Sequence, residues 1–308
     1  MEDKTTNVDP IVIEHLTKDY GDGRGVFDLN FTIKKGEMMG FVGTNGSGKT
    51  TTIRSMMGFI KPTSGHAYVN GKEAYEHASE NTKYIGYVPG EIGFPDLKTG
   101  TNFLKSQAEF LGLKDMSYAN ELIKKLQLDP RANLKRMSKG MKQKTALVSS
   151  LMNNPDILLF DEPTTGLDPL MRLAFMDIIK EEHKKGKTIL MSSHMFNEME
   201  DTCDRVALIN NGHIIDIVNM NDIRNRPVKD FKIEFNKKED YEKFKKLDYK
   251  IIRDQVEYNQ VTVELKKEDT SKLFNDLKNY DVKFFSEVKY TLEKYFKEIL
   301  LKKENKNV

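Results

Sequence analysis

The stretch Gly43-Thr44-Asn45-Gly46-Ser47-Gly48-Lys49-Thr50-Thr51 could hold a phosphate chain. It fits G-x-x-x-x-G-K-[ST] and stands between the apolar run Met38-Met39-Gly40-Phe41-Val42 and the helical-looking Thr52-Ile53-Arg54-Ser55-Met56-Met57. That strand–loop–helix context gives the motif its meaning. Gly43, Gly46 and Gly48 let the backbone turn tightly, so that successive N–H groups face one anion. A helix opening near Lys49 adds its positive N-terminal dipole. Lys49 then holds the β- and γ-phosphates, and the Thr50 hydroxyl completes a Mg²⁺ shell. Further along, Ile157-Leu158-Leu159-Phe160 ends in Asp161-Glu162. An acid pair at the C-terminal end of a buried parallel strand lies where open α/β sheets place their ligands. Asp161 would reach the Mg²⁺ shell, often through water, and Glu162 would orient or deprotonate the attacking water. The strand Thr188-Ile189-Leu190-Met191 leads into Ser192-Ser193-His194. A lone histidine at a strand end is ordinarily structural; here the strand end lies beside the same ligand, which favours His194 as a γ-phosphate contact.

Other segments must position these groups. Ile11-Val12-Ile13 and the alternation Phe27, Leu29, Phe31, Ile33 against Asp28, Asn30, Thr32 predict strands, the second with one wet face. His66-Ala67-Tyr68-Val69 before the turn pair Asn70-Gly71 adds to a small antiparallel sheet beside a parallel one. His66 reads as an exposed strand residue. Tyr84-Ile85-Gly86-Tyr87-Val88 is a further strand, broken by Pro89-Gly90-Glu91. From about 100 to 153 the periodicity is helical and predicts an inserted helical subdomain over about 92–153. It contains Met137-Ser138-Lys139-Gly140-Met141, directly before a helix. Thr164 to Pro169 turns the chain, a helix runs from Phe175 to Glu182, and Val206–Ile209 and Ile214-Ile215 finish the sheet. Tyr20 lies at a bend before the phosphate loop, where a base can stack on its ring for ~1–3 kcal/mol; taken alone it is an ordinary tyrosine.

The bulk properties narrow the classes. The chain has 308 residues, 38% apolar and 31% charged, with a net charge of +2. It is long enough for one large and one smaller domain, and nothing in the charge argues for a nucleic-acid surface. No signal peptide is visible in Met1–Asn7, and no apolar run is long enough to cross a bilayer. The single cysteine, Cys203, rules out an intramolecular disulfide, fits a reducing compartment and reads as a small buried residue. The chain is therefore expected in the cytoplasm.

The order of the motifs carries more than any one of them. Tyr20, the phosphate loop, Ser138-x-Gly140, Asp161-Glu162, Asp168 and His194 together resemble the ATP-binding cassette (ABC) ATPases over about residues 10–225. The resemblance implies a P-loop NTPase cassette with a RecA-like core, an antiparallel β subdomain and a helical subdomain. It implies ATP and Mg²⁺ as ligands, with Tyr20 under the base. It makes Ser138-Lys139-Gly140-Met141 the signature that contacts the γ-phosphate bound by a second cassette. Asp168 belongs to the loop that crosses the dimer interface, and His194 is the switch histidine. The physics agrees, because Ser138 and Gly140 precede a helix whose N–H groups can form a second anion site on a separate subdomain. Closing both sites around one ATP needs two cassettes packed head to tail.

Two departures stand out. The family's usual glutamine after the strand and proline is replaced by Gly90, and the neighbouring Glu91 is expected to take over part of its role. The signature reads Met-Ser-Lys-Gly-Met where Leu-Ser-Gly-Gly-Gln is usual, so Met141 cannot make the glutamine's polar contact. Both features resemble the exporter branch related to bacterial antibiotic and peptide efflux systems. The resemblance implies the ATPase subunit of an exporter, a homodimer working against separate integral-membrane subunits on the inner face of the membrane. The prolines, glycines and aromatics of Gly90–Phe94 would line the groove for the partner's coupling helix. An importer or regulatory cassette is the nearer rival. A soluble cassette acting on ribosomes or DNA is the more distant one, since the chain holds a single cassette and no sustained heptads separate Lys49 from Ser138.

Beyond Pro227 the pattern changes. Residues 228–308 read strand, helix, two strands, helix, strand, the order of a small ferredoxin-like α+β domain. A terminal helix carries Leu292, Tyr295, Phe296, Ile299 and Leu300 as an apolar stripe, packed on its own domain or across the dimer. Lys302 to Asn307 reads as a frayed, solvated end.

Overall fold

The computed structural model describes residues 8–304, and the chain divides into two compact units after Asn219. The expected frayed end lies partly outside the described residues, as does Met1–Asn7; Lys302 and Lys303 are exposed. In chain order the first unit opens with β1 (Ile11–Asp19), β2 (Gly25–Ile33), β3 (Met38–Val42), α1 (Lys49–Met56), β4 (Ser64–Val69), β5 (Lys72–Glu73), α2 (Ala78–Asn81) and β6 (Ile85–Val88). Three helices follow, α3 (Gly100–Phe110), α4 (Ser117–Lys125) and α5 (Lys139–Leu151). The unit closes with β7 (Ile157–Asp161), α6 (Pro169–Lys184), β8 (Thr188–Ser193), α7 (Phe196–Glu200), β9 (Arg205–Asn210) and β10 (His213–Asn219). Among the described residues no helix is long and apolar enough to cross a membrane.

The main sheet has the order β10-β9-β3-β8-β7-β6, parallel except for β10. Every residue of β3, β7 and β8 is buried, as strands covered on both faces require. Register decides what this sheet offers. Val42 pairs with Ser193, and Asp161 pairs with Ser192. The loop after β3, the acid pair after β7 and the histidine after β8 therefore leave the sheet side by side.

The second sheet, β2-β1-β4-β5, is antiparallel, and its apolar face shares one core with the main sheet and α1. The alternation in β2 holds for Leu29, Phe31 and Ile33 but breaks before them. Asp28 sits at φ 51° opposite His15 at φ 47°, and the register shifts between β1 and β2 on either side of Leu16. Such a bulge turns the preceding side chains over. Val26 is thus the buried residue, and Phe27 stacks on His213 at 5.4 Å. Tyr84 is likewise outside its predicted strand, half-exposed in the turn before β6. The helix expected from Phe175 begins at Pro169, because Asp168 Oδ1 accepts the Met171 N–H at 3.0 Å and proline suits the first helical position.

The second unit contains α8 (Met220–Arg224), β11 (Val228–Phe235), α9 (Lys238–Phe244), β12 (Lys250–Gln255), β13 (Gln260–Lys266), α10 (Thr270–Leu277), β14 (Val282–Val288) and α11 (Leu292–Glu304). Its antiparallel sheet has the order β12-β13-β11-β14, the split β-α-β arrangement of a ferredoxin-like domain. Phe231, Ile233 and Phe235 alternate into a core with Tyr241, Phe244, Leu273 and Leu277 from the two helices. Of the α11 stripe, Leu292 and Phe296 are buried, while Tyr295, Ile299 and Leu300 are partly exposed.

The helical subdomain is tied to α6 by one buried carboxylate. Glu182 accepts from the Tyr118 hydroxyl of α4 at 2.6 Å and pairs with Lys185 at 2.6 Å and Lys187 at 2.8 Å. Burial raises the pKa of Glu182, and the hydrogen bonds from Lys185, Lys187 and Tyr118 outweigh it, leaving the carboxyl below its ordinary value. A depressed carboxyl stabilises the fold above its unfolded-state pKa, and that contribution is lost as pH falls through the folded-state value. Glu182→Gln should cost on the order of 3 kcal/mol, because it leaves the buried Lys187 ammonium without its carboxylate and with only the Asn154 side-chain oxygen. Urea denaturation at neutral pH would measure this, and the gap between variant and wild type should narrow on acidification.

Candidate nucleotide site

The loop between β3 and α1 closes on itself before it meets any other element. Lys49 Nζ donates to the carbonyls of Gly43 at 2.9 Å and Thr44 at 3.1 Å. Gly48 has φ 108°, and a Cβ there would stand 2.4 Å from Val26 Cγ1, so no other residue fits. Asn45, Gly46, Gly48, Lys49, Thr50 and Thr51 line a cleft of about 690 Å³ together with Tyr20, Arg24 and Glu162. Gly43 and Ser47 do not line it; Ser47 is buried, and Gly43 sits tight against the Ile209 carbonyl.

Asp161 is fully buried and held from two sides. Thr50 Oγ1 donates to its Oδ2 at 2.6 Å, and Ser192 Oγ donates to its Oδ1 at 2.7 Å. The same Ser192 oxygen accepts the Glu162 N–H at 3.0 Å. Glu162 adopts φ 49°, a left-handed conformation that costs a side-chain-bearing residue roughly 1 kcal/mol. Its carboxylate is fixed by three groups: His194 Nδ1 at 3.1 Å and Thr165 Oγ1 at 3.3 Å on Oε2, and Lys49 Nζ at 3.4 Å from Oε1. A strained backbone held by this many partners aims one carboxylate into the cleft. The negative charge of Asp161 also reaches Tyr87 on β6. Burial first, and then that charge, raise the Tyr87 hydroxyl above its ordinary pKa.

The structure thus brings together Lys49, Thr50, Asp161, Glu162 and His194, with Tyr20 about half-exposed on the cleft wall. It does not bring the signature to them. Ser138 caps α5, accepting the Met141 N–H at 3.2 Å, and Lys139 and Met141 lie on the first turn of that helix. Gly140 approaches the Gly166 carbonyl so closely that a Cβ would come within 2.7 Å of it. Asp168 caps α6, where Leu170 and Leu173 stand exposed. Ser192, Thr165, Arg24 and Asn211 were not singled out by sequence; Ser192 becomes legible only once its register against Asp161 is known. His66 is exposed and stacks on Tyr68, and Cys203 is buried, as expected of both.

Two further surfaces bear on the glycine at 90. A Cβ on Gly90 would stand 3.0 Å from Asp161 Oδ2. Glu91 is exposed and shares a shallow pocket with Ile92, Lys139, Lys142 and Gln143. Phe94 packs edge-to-face on Phe103 at 4.7 Å. The larger apolar groove of this unit, about 610 Å³, lies instead between Phe59, Tyr87, Ile85, Phe110 and Leu111.

A parallel sheet with a phosphate loop, an acid pair and a histidine on adjoining strand ends defines a nucleotide-hydrolysing cassette. Residues 26–165 match the ABC transporter family. An ABC transporter ATP-binding protein of Methanocaldococcus jannaschii is 35% identical over 69% of this chain and 79% of its own length. The bacitracin transport ATP-binding protein BcrA of Bacillus licheniformis is 34% identical over 68% of this chain and 70% of its own. Among solved structures, the dimeric ATP-binding cassette MJ0796 bound to ADP and Pi aligns with a TM-score of 0.61 at 25% identity, over 68% of this chain and 98% of that one. The chain belongs to the ABC transporter family as an ATP-binding subunit, and is an ABC-type ATPase.

Gly90→Gln should lower ATP turnover at least about tenfold with little change in melting temperature, because the new Cβ presses on a carboxylate that two hydroxyls hold in place. Wild-type turnover in this variant would mean that Asp161 yields without cost. Glu91→Ala measured beside it tests the expected substitute for the missing glutamine, and unchanged turnover would remove Glu91 from that role.

Proposed function

We propose that the chain is the ATPase subunit of an exporter, acting as a pair of identical cassettes that enclose two ATP–Mg²⁺ and drive separate membrane-spanning subunits. The observation that carries the reading is the division of the site: Lys49, Thr50 and Glu162 line one cleft with Asp161 and His194 bonded to them, while Ser138, Lys139, Gly140 and Met141 stand outside it. A second copy turned head to tail supplies the missing signature.

In this reading Tyr20 stacks on the base and the N–H groups of Asn45–Thr51 surround the phosphates. Lys49 turns from Glu162 to the β- and γ-phosphates, which leaves the Glu162 carboxylate free to orient and deprotonate the attacking water. His194 holds the γ-phosphate and keeps Glu162 aimed. The donor set fits Mg²⁺: a threonine hydroxyl and a buried carboxylate joined at 2.6 Å are hard oxygen ligands, and Thr50 and Asp161 would hold the ion. Held by these two residues, Mg²⁺ would supply positive charge to offset that on the phosphate oxygens. Asp168 and the exposed Leu170 and Leu173 lie at the interface between copies. The groove of Phe59, Tyr87 and Phe110 suits an apolar helix of a membrane partner. The subunit then works in the cytoplasm, held at the inner face of the membrane by that partner. An amphipathic peptide or antibiotic is the proposed cargo, supported by the similarity to the bacitracin transport protein.

Glu162→Gln should reduce turnover at least about a hundredfold while ATP drives the variant into a stable dimer on size-exclusion chromatography. A variant that hydrolyses ATP at the wild-type rate overturns the assignment of the base. Tagged chain recovered from solubilised membranes should bring a multi-span protein with it; recovery only with ribosomes or nucleic acid would overturn the transporter reading.

A further inference from the structure

One buried carboxylate outside the cleft joins the segments that meet the nucleotide to those that leave it. Glu198 lies on α7 and is 8% exposed. Its Oε2 accepts from Ser193 Oγ at 2.9 Å and from Thr164 Oγ1 at 3.1 Å. Ser193 Oγ in turn accepts the Met195 N–H at 2.9 Å, so the residues on both sides of His194 are tied to this carboxylate. The Thr164 carbonyl accepts the Leu167 N–H at 3.1 Å, closing the turn that delivers Asp168 to the start of α6.

The other oxygen of Glu198 is not satisfied. Oε1 faces Arg172 Nε at 3.6 Å, beyond hydrogen-bond length, and both atoms are buried without a hydrogen-bond partner. Arg172 lies one helical turn after Asp168, and its NH1 donates to Met195 Sδ at 3.4 Å, beside His194. A buried donor and acceptor facing each other just out of reach cost more apart than together, since neither recovers the water it lost. A shift of well under 1 Å between α6 and the His194 loop would close the pair. Packed elements move between discrete arrangements rather than deforming continuously.

We infer that Glu198 is a positioning residue that couples His194 to the Asp168 turn, so that occupancy of one ATP site is transmitted to the other. This rests on the reading above, in which Asp168 lies between two copies. When His194 engages the γ-phosphate its loop shifts, Ser193 carries Glu198 with it, and Arg172 closes onto Oε1. The first turn of α6, with Asp168 and Leu170, is then set for the partner.

The test uses the full-length chain. Wild type should hydrolyse ATP with a Hill coefficient approaching about 2, the number of sites in the dimer. Glu198→Gln keeps an oxygen for the Ser193 and Thr164 hydroxyls and removes the charge facing Arg172. It should fold, bind a fluorescent ATP analogue within about twofold of wild type, and lose both cooperativity and about tenfold in kcat. Glu198→Ala should do the same or worse. In a His194→Ala background, adding Glu198→Gln should cost no more than about twofold further, because its effect passes through His194. Wild-type kcat and cooperativity in Glu198→Gln, or a loss that multiplies fully with that of His194→Ala, would overturn the coupling role. A wild type that forms no dimer with ATP would instead overturn the two-copy reading beneath it.

Discussion

The site depends on the hold that two hydroxyls have on the Asp161 carboxylate. Thr50 comes from the first turn of α1, after β3, and Ser192 from the end of β8, so one bond reaches β7 from the helix start and the other crosses from the adjacent strand. A carboxylate with no solvent exposure must have its oxygens satisfied, and these two donors do that while fixing the spacing of three strand ends. Ser192 then passes the constraint along by accepting the Glu162 N–H, which supports the left-handed backbone that points Glu162 into the cleft. The hydrolytic geometry and the sheet's packing are therefore one set of contacts.

The same constraint accounts for the departure at position 90. The end of β6 passes so close to Asp161 that even a Cβ at Gly90 would touch its Oδ2. Glycine leaves room there, and the neighbouring surface of Glu91, Lys139, Lys142 and Gln143 forms a separate shallow pocket. The helical subdomain is also tied to α6 through Tyr118 and Glu182, residues that do not line the cleft. The cassette thus has two polar ties with different tasks, one aligning the catalytic strand ends and one holding the helical subdomain.

Around this centre the loops are linked at a second buried carboxylate. Glu198 receives hydroxyls from the His194 loop and from the turn before Asp168, and faces Arg172 across a gap. It lies behind the strand ends, where it can feel displacement of either loop without touching the nucleotide. Asp161 fixes the strand ends rigidly, and Glu198 links the two loops that have to respond.

Much of this was readable in the chain itself. The phosphate loop, the acid pair and the apolar strands follow from local chemistry: glycine where φ must be positive, continuous apolar runs where both faces are covered, carboxylates at strand ends. The β-α-β-β-α-β order of the second unit followed from periodicity alone, because each element there buries a single face of regular spacing. What periodicity could not supply was everything set by pairing between distant segments. The inward turn of Val26 in place of Phe27 needs the bulge between β1 and β2. The tie from Ser192 to Asp161 needs the register of β7 against β8, and the closeness of Gly90 to Asp161 needs the parallel pairing of β6 with β7. The placing of Glu198 against Thr164 and Arg172 needs α7 brought up to the turn before α6 and to its first turns. The residue types and their order determined which chemistry is present, since those requirements are local. Tertiary structure decided which groups hold which, because a hydrogen bond across strands depends on register, and register is fixed by the packing of the whole sheet.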